Sequence, residues 1–504
     1  MTRQPSLQNI FNNNGVRPAA SFDFQPMKTH IHITACLSLL LAAPSLLAQQ
    51  SAVSTITKGA EVKLSPAAFG YNTQSLSGPG WDKQPFLDRI AELDPSNFRY
   101  PGGTVGNFWD WKTGFVNDTG RKYKVMGFRD DNPYPFKLED VKKVYDRSGG
   151  AAEPVYMLNM LTSTYEDQLA MLKHAQEIGL PVRYIEMGNE FYMDDHPKTY
   201  NYLHKYPDIK DYADDCRVWI NKLRKEFPGA RFAMIAINNP AGWTGANRGR
   251  SRDWNKTLME NLTGFDVDAF TFHNYAKNNF ADQTPEDLLA QSIHSAEVKD
   301  IKRGIPAKYP YWVTEYNFFT KDNKLPGLWA TGLANAVTTA QMLSTPGIEM
   351  LCFFNLTASG VSTAIYDKDT KIAGGATAKK YALSASGQAL KIFSQAQKSA
   401  TAVRRLAFSD NPVNKARNRD YNTLYGYLFT GAGTGDKALV VNLGAKPMTI
   451  DLSGLGFAAT TAGQTWAQSL RAPIVDDDSV SKETAPLAGK KQLTLKPYSV
   501  TLIK

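Results

Sequence analysis

The sequence predicts an α/β fold, a (β/α)8 TIM barrel followed by a C-terminal antiparallel β-sandwich. Three observations carry that reading. Eight apolar, β-prone runs alternate with stretches of helical spacing over residues 65–397, and the pattern gives way to short alternating runs from about Thr401. Two of the eight runs also end in a glutamate, Glu190 and Glu315. Barrels of this kind commonly run ~250 residues or more and keep their chemistry at the C-terminal ends of the strands. The expected division is an upstream extension with a secretory signal (1–50), a catalytic barrel (65–397), and a sandwich built from 51–64 plus 398–504.

The first fifty residues are expected to lie outside the fold. Met27-Lys28-Thr29-His30 precedes an apolar stretch, Ile33 to Ala43, with the short charged and apolar regions of an export signal. That stretch is too short for a spanning helix. The reading is a natural start at Met27, cleavage near Ala48, and a secreted or periplasmic protein with no membrane attachment once the signal is gone.

Composition narrows the class. With 42% hydrophobic, 21% charged and 11% aromatic residues, the chain is globular and not disordered. Losing residues 1–50 removes Arg3, Arg17, Lys28 and Asp23, which lowers the formal charge from +9 to +7. A basic surface suits an acidic glycan as well as a solvated face, but no Lys/Arg cluster is dense enough for nucleic acid. Of three cysteines, Cys36 lies in the signal; Cys216 and Cys352 read as buried thiols, with a disulfide between them the lesser alternative. No metal spacing is present, and no cofactor is called for. Oligomeric state is unreadable.

In order along the chain, Ala52–Thr57 and Ala60–Leu64 alternate as strands expected to pair with the sandwich. Strand one is Ala68–Asn72, with its helix at Pro85–Leu93; strand two is Asn97–Tyr100, ending at Pro101-Gly102-Gly103. A long aromatic loop follows (Asn107-Phe108-Trp109-Asp110-Trp111), then strand three, Pro154–Asn159, and a helix over Asp167–Ile178. Strand four runs from Arg183 to Glu190. Helix Asp208–Phe227, strand Phe232–Asn238, helix Asp253–Leu262 and strand Val267–His273 come next. Helix Pro285–Lys302, strand seven (Tyr309–Glu315), helix Trp329–Leu343, strand eight (Met350–Asn355) and helix Thr377–Gln397 complete the barrel. Beyond it, runs such as Thr423–Phe429, Ala438–Leu443 and Ser499–Ile503, separated by Gly, Pro and Asn/Asp turns, read as a sandwich.

Two carboxylates facing each other across one end of a barrel are what glycoside hydrolysis requires. A single glutamate at a strand end is more often an ion-pair partner, so the weight lies on the set: Asn189 before Glu190, Glu315 on strand seven, and His273-Asn274-Tyr275 after strand six. With those residues the chain resembles a clan A glycoside hydrolase. Phe98-Arg99-Tyr100-Pro101-Gly102-Gly103 resembles a turn of the α-L-arabinofuranosidases of family 51, and families 39 and 79 share the architecture. Thr314-Glu315-Tyr316-Asn317 and Phe191-Tyr192 depart from the family 51 pattern.

The resemblance implies a retaining, double-displacement mechanism, with Glu315 as nucleophile and Glu190 as acid and base. Asn189 would meet the sugar 2-hydroxyl, Tyr275 and Arg99 would hold Glu315, and His273 would line the rim. Asn72 and Asn355, with Asn159 and Asn238, end strands where they would contact hydroxyls; Trp109 and Tyr192, with Trp111 and Trp329, are candidate sugar platforms. Glu186 is the rival carboxylate, with a strand parity that points it elsewhere. The expected substrate is an α-L-arabinofuranoside. The alternatives are a β-glucuronidase, β-xylosidase or endo-glycanase of the same clan, or a non-catalytic carbohydrate-binding protein.

Overall fold

The computed structural model describes residues 53–73, 80–125, 134–193, 200–238, 250–277, 282–297, 304–320, 324–358, 363–417, 419–431, 435–457 and 462–504. The proposed signal and residues 126–133, late in the loop after the second strand, lie outside them.

Eight parallel strands close into a barrel in chain order: β1 (Phe69–Asn72), β2 (Asn97–Tyr100), β3 (Glu153–Met157), β4 (Tyr184–Glu186), β5 (Arg231–Ile235), β6 (Ala269–Lys277), β7 (Tyr311–Phe319) and β8 (Ile348–Phe353). A helix follows each: α1 (Gln84–Leu93), α2 (Leu138–Arg147), α3 (Tyr165–Glu177), α4 (Ile209–Glu226), α5 (Arg250–Asn261), α6 (Pro285–Ala296), α7 (Trp329–Leu343) and α8 (Ala385–Gln397). Their starts are chemically marked. Thr164 and Ser384 cap α3 and α8 by accepting from backbone N–H groups, and Thr284 with Asp287 forms a capping box ahead of Pro285.

The barrel has a floor. Val155, Tyr184, Ala233, Ala269, Trp312, Met350 and Cys352 form one buried cluster inside it. Trp312 spans the lumen edge-on to Tyr184, with ring centroids 5.5 Å apart, and donates its indole N–H to Glu349 at 3.0 Å. The lumen is a packed core, as it is in this fold generally.

Beyond α8 comes a seven-stranded antiparallel sheet, in the order Ile56–Lys63, Ala402–Phe408, Leu424–Thr430, Lys437–Asn442, Ser499–Ile503, Ala462–Ala467, Ser481–Pro486. A second sheet joins Val53–Ser54, Met448–Asp451 and Gln492–Leu495. Strand periodicity sorts the side chains. Ala438 and Val440 face the second sheet, whereas Leu439 and Val441 join the barrel's apolar cluster. Helix α7 lies between barrel and sheet and is buried along its whole length, which explains its apolar sequence on every side. Arg405 donates to Ser344 Oγ, the Gln341 carbonyl and Thr345 Oγ1, and Trp329 donates to the Tyr498 carbonyl at 2.7 Å.

Several boundaries differ from the sequence reading. Strand β4 stops at Glu186, not Glu190. The last helix starts at Ala385, because Thr377–Ala378 pairs instead with Thr370–Lys371. The edge strand Ser481–Pro486 has no counterpart among the runs read from sequence. The two described cysteines, Cys216 and Cys352, are buried and free. No described helix is long and apolar enough to cross a membrane.

Candidate active site

The chain leaves β4 through a backbone that only some residues tolerate. Gly188 has φ 85°, and a Cβ there would stand 2.4 Å from the Phe191 ring, so glycine is required on both counts. Glu190 itself sits at φ 55°. Phe191 anchors the turn among the rings of Tyr202, Tyr206 and Tyr212, with centroids 5.7, 5.0 and 5.6 Å away. Asn107 clamps the Asn189 backbone from the loop after β2, donating to its carbonyl at 2.8 Å and accepting from its N–H at 3.2 Å. Nothing in the sequence marked Asn107 apart from its neighbours.

Glu315 reaches the same mouth by a different device. Across β6 and β7, Phe272 pairs with Val313 and His273 with Glu315, so Thr314 is an extra residue in β7. A bulge of this kind re-aims side chains. Thr314 Oγ1 donates to Glu186 at 2.8 Å, while Glu315 Oε1 accepts from Arg99 Nη1 at 2.7 Å. Tyr275 O–H donates to Glu315 Oε2 at 2.6 Å.

Arg99 is the hub, wholly buried on β2. It makes a two-pronged contact with Glu186 at 2.7 and 2.9 Å, meets Glu315, and donates to Asn189 Oδ1 at 2.8 Å. Burial alone would drive the proton off, but Glu186 and Glu315 outweigh it and hold Arg99 above its ordinary value. The reading of Glu186 is thereby corrected. Because β4 ends at Glu186, the parity argument that turned this residue away does not apply, and it lies under the mouth as Arg99's main counter-ion.

His273 Nδ1 lies 2.8 Å from Glu190 Oε1 and 3.6 Å from Glu315 Oε2. Burial lowers its proton affinity, yet Glu315 and Glu190 more than compensate and raise it above the usual imidazole value. Burial, and then Glu315, push the Tyr275 phenol well above its ordinary range, so it remains a donor. One ligand-type atom each from Glu190, His273 and Glu315 falls within 4.8 Å of the others. The trio has metal-ligand chemistry, but the Arg99 guanidinium bonded to Glu315 opposes a second cation there. The set is a hydrogen-bonded one.

The remaining candidates divide. Asn72 is buried and reaches the Thr314 carbonyl at 3.5 Å. Asn355 accepts from Ala364 N–H at 3.1 Å through its carbonyl. Asn159 donates to the Trp109 carbonyl and Asn238 to Asn274, contacts that brace loops. Trp109 is not a sugar platform: it is buried, and its indole N–H is held by Tyr100 at 3.1 Å. Trp329 is buried against the sandwich, and Trp111 packs tilted on His174 with its N–H towards Asp167. Tyr192 is buried too and bonds Glu190 Oε1 at 2.8 Å, so it serves the carboxylate instead of a sugar face. In the Gly-Gly turn, only Gly102 needs positive φ, at 126°.

No family model matches the chain, and no curated protein matches it. Solved structures do. An α-L-arabinofuranosidase from Thermotoga maritima, in complex with arabinose, is 14% identical over 89% of this chain and 99% of that one, with a TM-score of 0.61. A glycoside hydrolase family 51 arabinofuranosidase from Xanthomonas axonopodis pv. citri gives 13%, 90%, 99% and 0.64. A 4-O-α-L-rhamnosyl-β-D-glucuronidase from Fusarium oxysporum gives 14%, 90%, 100% and 0.54. The protein shares with these the fold of a (β/α)8 barrel carrying a β-sandwich.

Proposed function

We propose that this chain is a retaining glycoside hydrolase, with Glu315 as nucleophile and Glu190 as acid and then base. The observation that carries the reading is the pair itself: two buried carboxylates at one mouth, one after β4 and one on β7, with an oxygen of each inside the 4.8 Å set they form with His273. Retaining enzymes hold their carboxyls ~5–5.5 Å apart, and inverting ones leave room for water. Arg99 and Tyr275 each donate to one Glu315 oxygen and hold the carboxyl aimed at an anomeric carbon. In the first step a Glu315 oxygen bonds that carbon as Glu190 gives its proton to the departing oxygen. In the second, Glu190 takes a proton from water, whose oxygen displaces Glu315. Asn189 Nδ2 is buried with no hydrogen-bond partner among the described residues, while its Oδ1 is fixed by Arg99. That donor suits the sugar 2-hydroxyl.

The favoured substrate is a terminal α-L-arabinofuranoside, a choice supported by the Arg99–Gly103 turn and by the arabinofuranosidases among the structural neighbours. The test is release of nitrophenol from a panel of glycosides by the purified chain, with Glu190→Gln as control. Arabinofuranoside turnover lost in the control supports the full reading. Turnover only on a glucuronide, xyloside or polymer replaces the sugar and keeps the mechanism. Glycan binding without any turnover points to a carbohydrate-binding protein. Export through residues 27–48 belongs to the same proposal, and a mature N-terminus near Gln49 on secreted protein tests it.

A further inference from the structure

We propose that Tyr192 is a positioning residue which, with His273, commits Glu190 Oε1 to hydrogen bonding and thereby assigns the catalytic proton to Oε2. The proposal rests on the glycosidase reading for its chemistry, but its geometry stands alone. The turn after β4 closes when Met193 N–H donates to the Glu190 carbonyl at 3.0 Å. That closure folds Tyr192 back over the carboxylate two residues before it, and its O–H donates to Oε1 at 2.8 Å. From β6, His273 Nδ1 meets the same oxygen at 2.8 Å. A carboxyl oxygen offers two in-plane lone pairs, and two converging donors use both. His273 Nδ1 faces a carboxylate and so carries the hydrogen it donates; Oε1 then has no place for a proton, and the acid carries its proton on Oε2.

The surroundings keep Tyr192 in that role. Its ring is buried, edge-on to Trp254 with centroids 6.2 Å apart, which leaves no face for a sugar. Burial first, and then the Glu190 charge, hold its phenol well above the ordinary value, so the O–H persists through the working pH range. In the reaction, the Oε2–H bond breaks as the leaving oxygen takes that proton. Water later returns a proton to Oε2, while the two bonds at Oε1 persist and fix the direction of both transfers. A charge-assisted donor also favours the ionised form of its acceptor.

The test is Tyr192→Phe, which keeps the ring. The Glu190 titration is followed by carboxyl carbon-13 NMR and assigned with Glu190→Gln. Glu315 on β7, His273 on β6 and the Arg99 charge behind them face this carboxyl and are common to both proteins. Loss of the donor raises the apparent pKa of Glu190; an unchanged titration overturns the proposal. Replacement of Tyr192 by 3-fluorotyrosine, a stronger donor, shifts the same titration downward, which guards against a Phe variant that folds poorly. The kinetic arm compares kcat/KM for a dinitrophenyl glycoside, whose leaving group needs no proton, with that for an alkyl glycoside. The ratio rises about tenfold in Tyr192→Phe, on the order of one lost charge-assisted bond. An equal loss on both substrates overturns the positioning role. Inactivity of the wild-type chain on every glycoside defeats the glycosidase reading, and the NMR titration still decides the hydrogen bond.

Discussion

The two ends of one barrel make opposite use of the same eight strands. At the floor, Trp312, Tyr184, Met350 and Val155 fill the lumen with apolar contact. At the mouth, Arg99, Glu186, Glu315, His273 and Glu190, with the half-buried Tyr275, fill a largely buried space with polar and charged groups, each held by a partner at hydrogen-bond distance. Strand β7 supplies both ends, with Trp312 below and Glu315 above, separated by the bulge at Thr314. The lesson is that burial alone does not distinguish core from site. The floor is stabilised by area removed from water and tolerates imprecision, whereas the mouth is stable only while every charge keeps its partner.

The largest expected effect lies at the mouth. Glu315→Gln keeps the shape and an acceptor for Arg99, and it should cost on the order of 10⁴-fold or more in kcat/KM, as removing a covalent nucleophile does. Wild-type-like turnover would remove the assignment. Next come two substitutions of similar energy and opposite meaning. Arg99→Met strands Glu186 and Glu315 and should cost roughly 3–5 kcal/mol in denaturant unfolding, together with activity. Trp312→Ala should cost about 3–5 kcal/mol through its cavity, while kcat of the folded protein stays near wild type. If both variants lost stability and activity alike, the division between floor and mouth would be wrong.

The smallest effect is a pH signature. His273 has its folded-state pKa raised above an unfolded value of about 6.5. Its contribution to stability is therefore complete below about pH 6.5 and is lost as pH rises through the folded value. Unfolding of His273→Gln and wild type between about pH 5.5 and 9 should show the deficit shrinking with rising pH. A deficit flat in pH would show that the imidazole acts only by packing.

Much of this architecture is legible in sequence because apolar runs ending in polar residues are what parallel strands under helices require. Glu190, Glu315 and Tyr275 stood out by position, since each follows such a run. Glu186 stood out only as a rival turned elsewhere, because Met187 continues the apolar pattern and nothing in composition shows that the sheet ends one residue earlier. Only the left-handed backbone at Gly188 and Glu190 reveals it. Trp109 and Trp329 misled for a related reason, as an indole in a loop or at a helix start looks the same whether it meets a sugar or neighbouring protein groups. Ser481–Pro486 escaped because an exposed edge strand has no buried face to impose alternation.

The pairing of Ile56–Lys63 with Ala402–Phe408 has a consequence in time. Thr55 N–H finds Ser409 Oγ across 354 residues of chain, so the whole barrel is an insertion between two adjacent strands of one sheet. As the chain is synthesised, the first of those strands waits while every barrel strand is made. Its Lys58, Glu61 and Lys63 keep it a poor template for stray pairing meanwhile. Closing so long a loop is slow, and it pays only when the barrel has already drawn the ends together. The sheet thus acts as a clasp that shuts last, and a barrel that fails to form leaves it open.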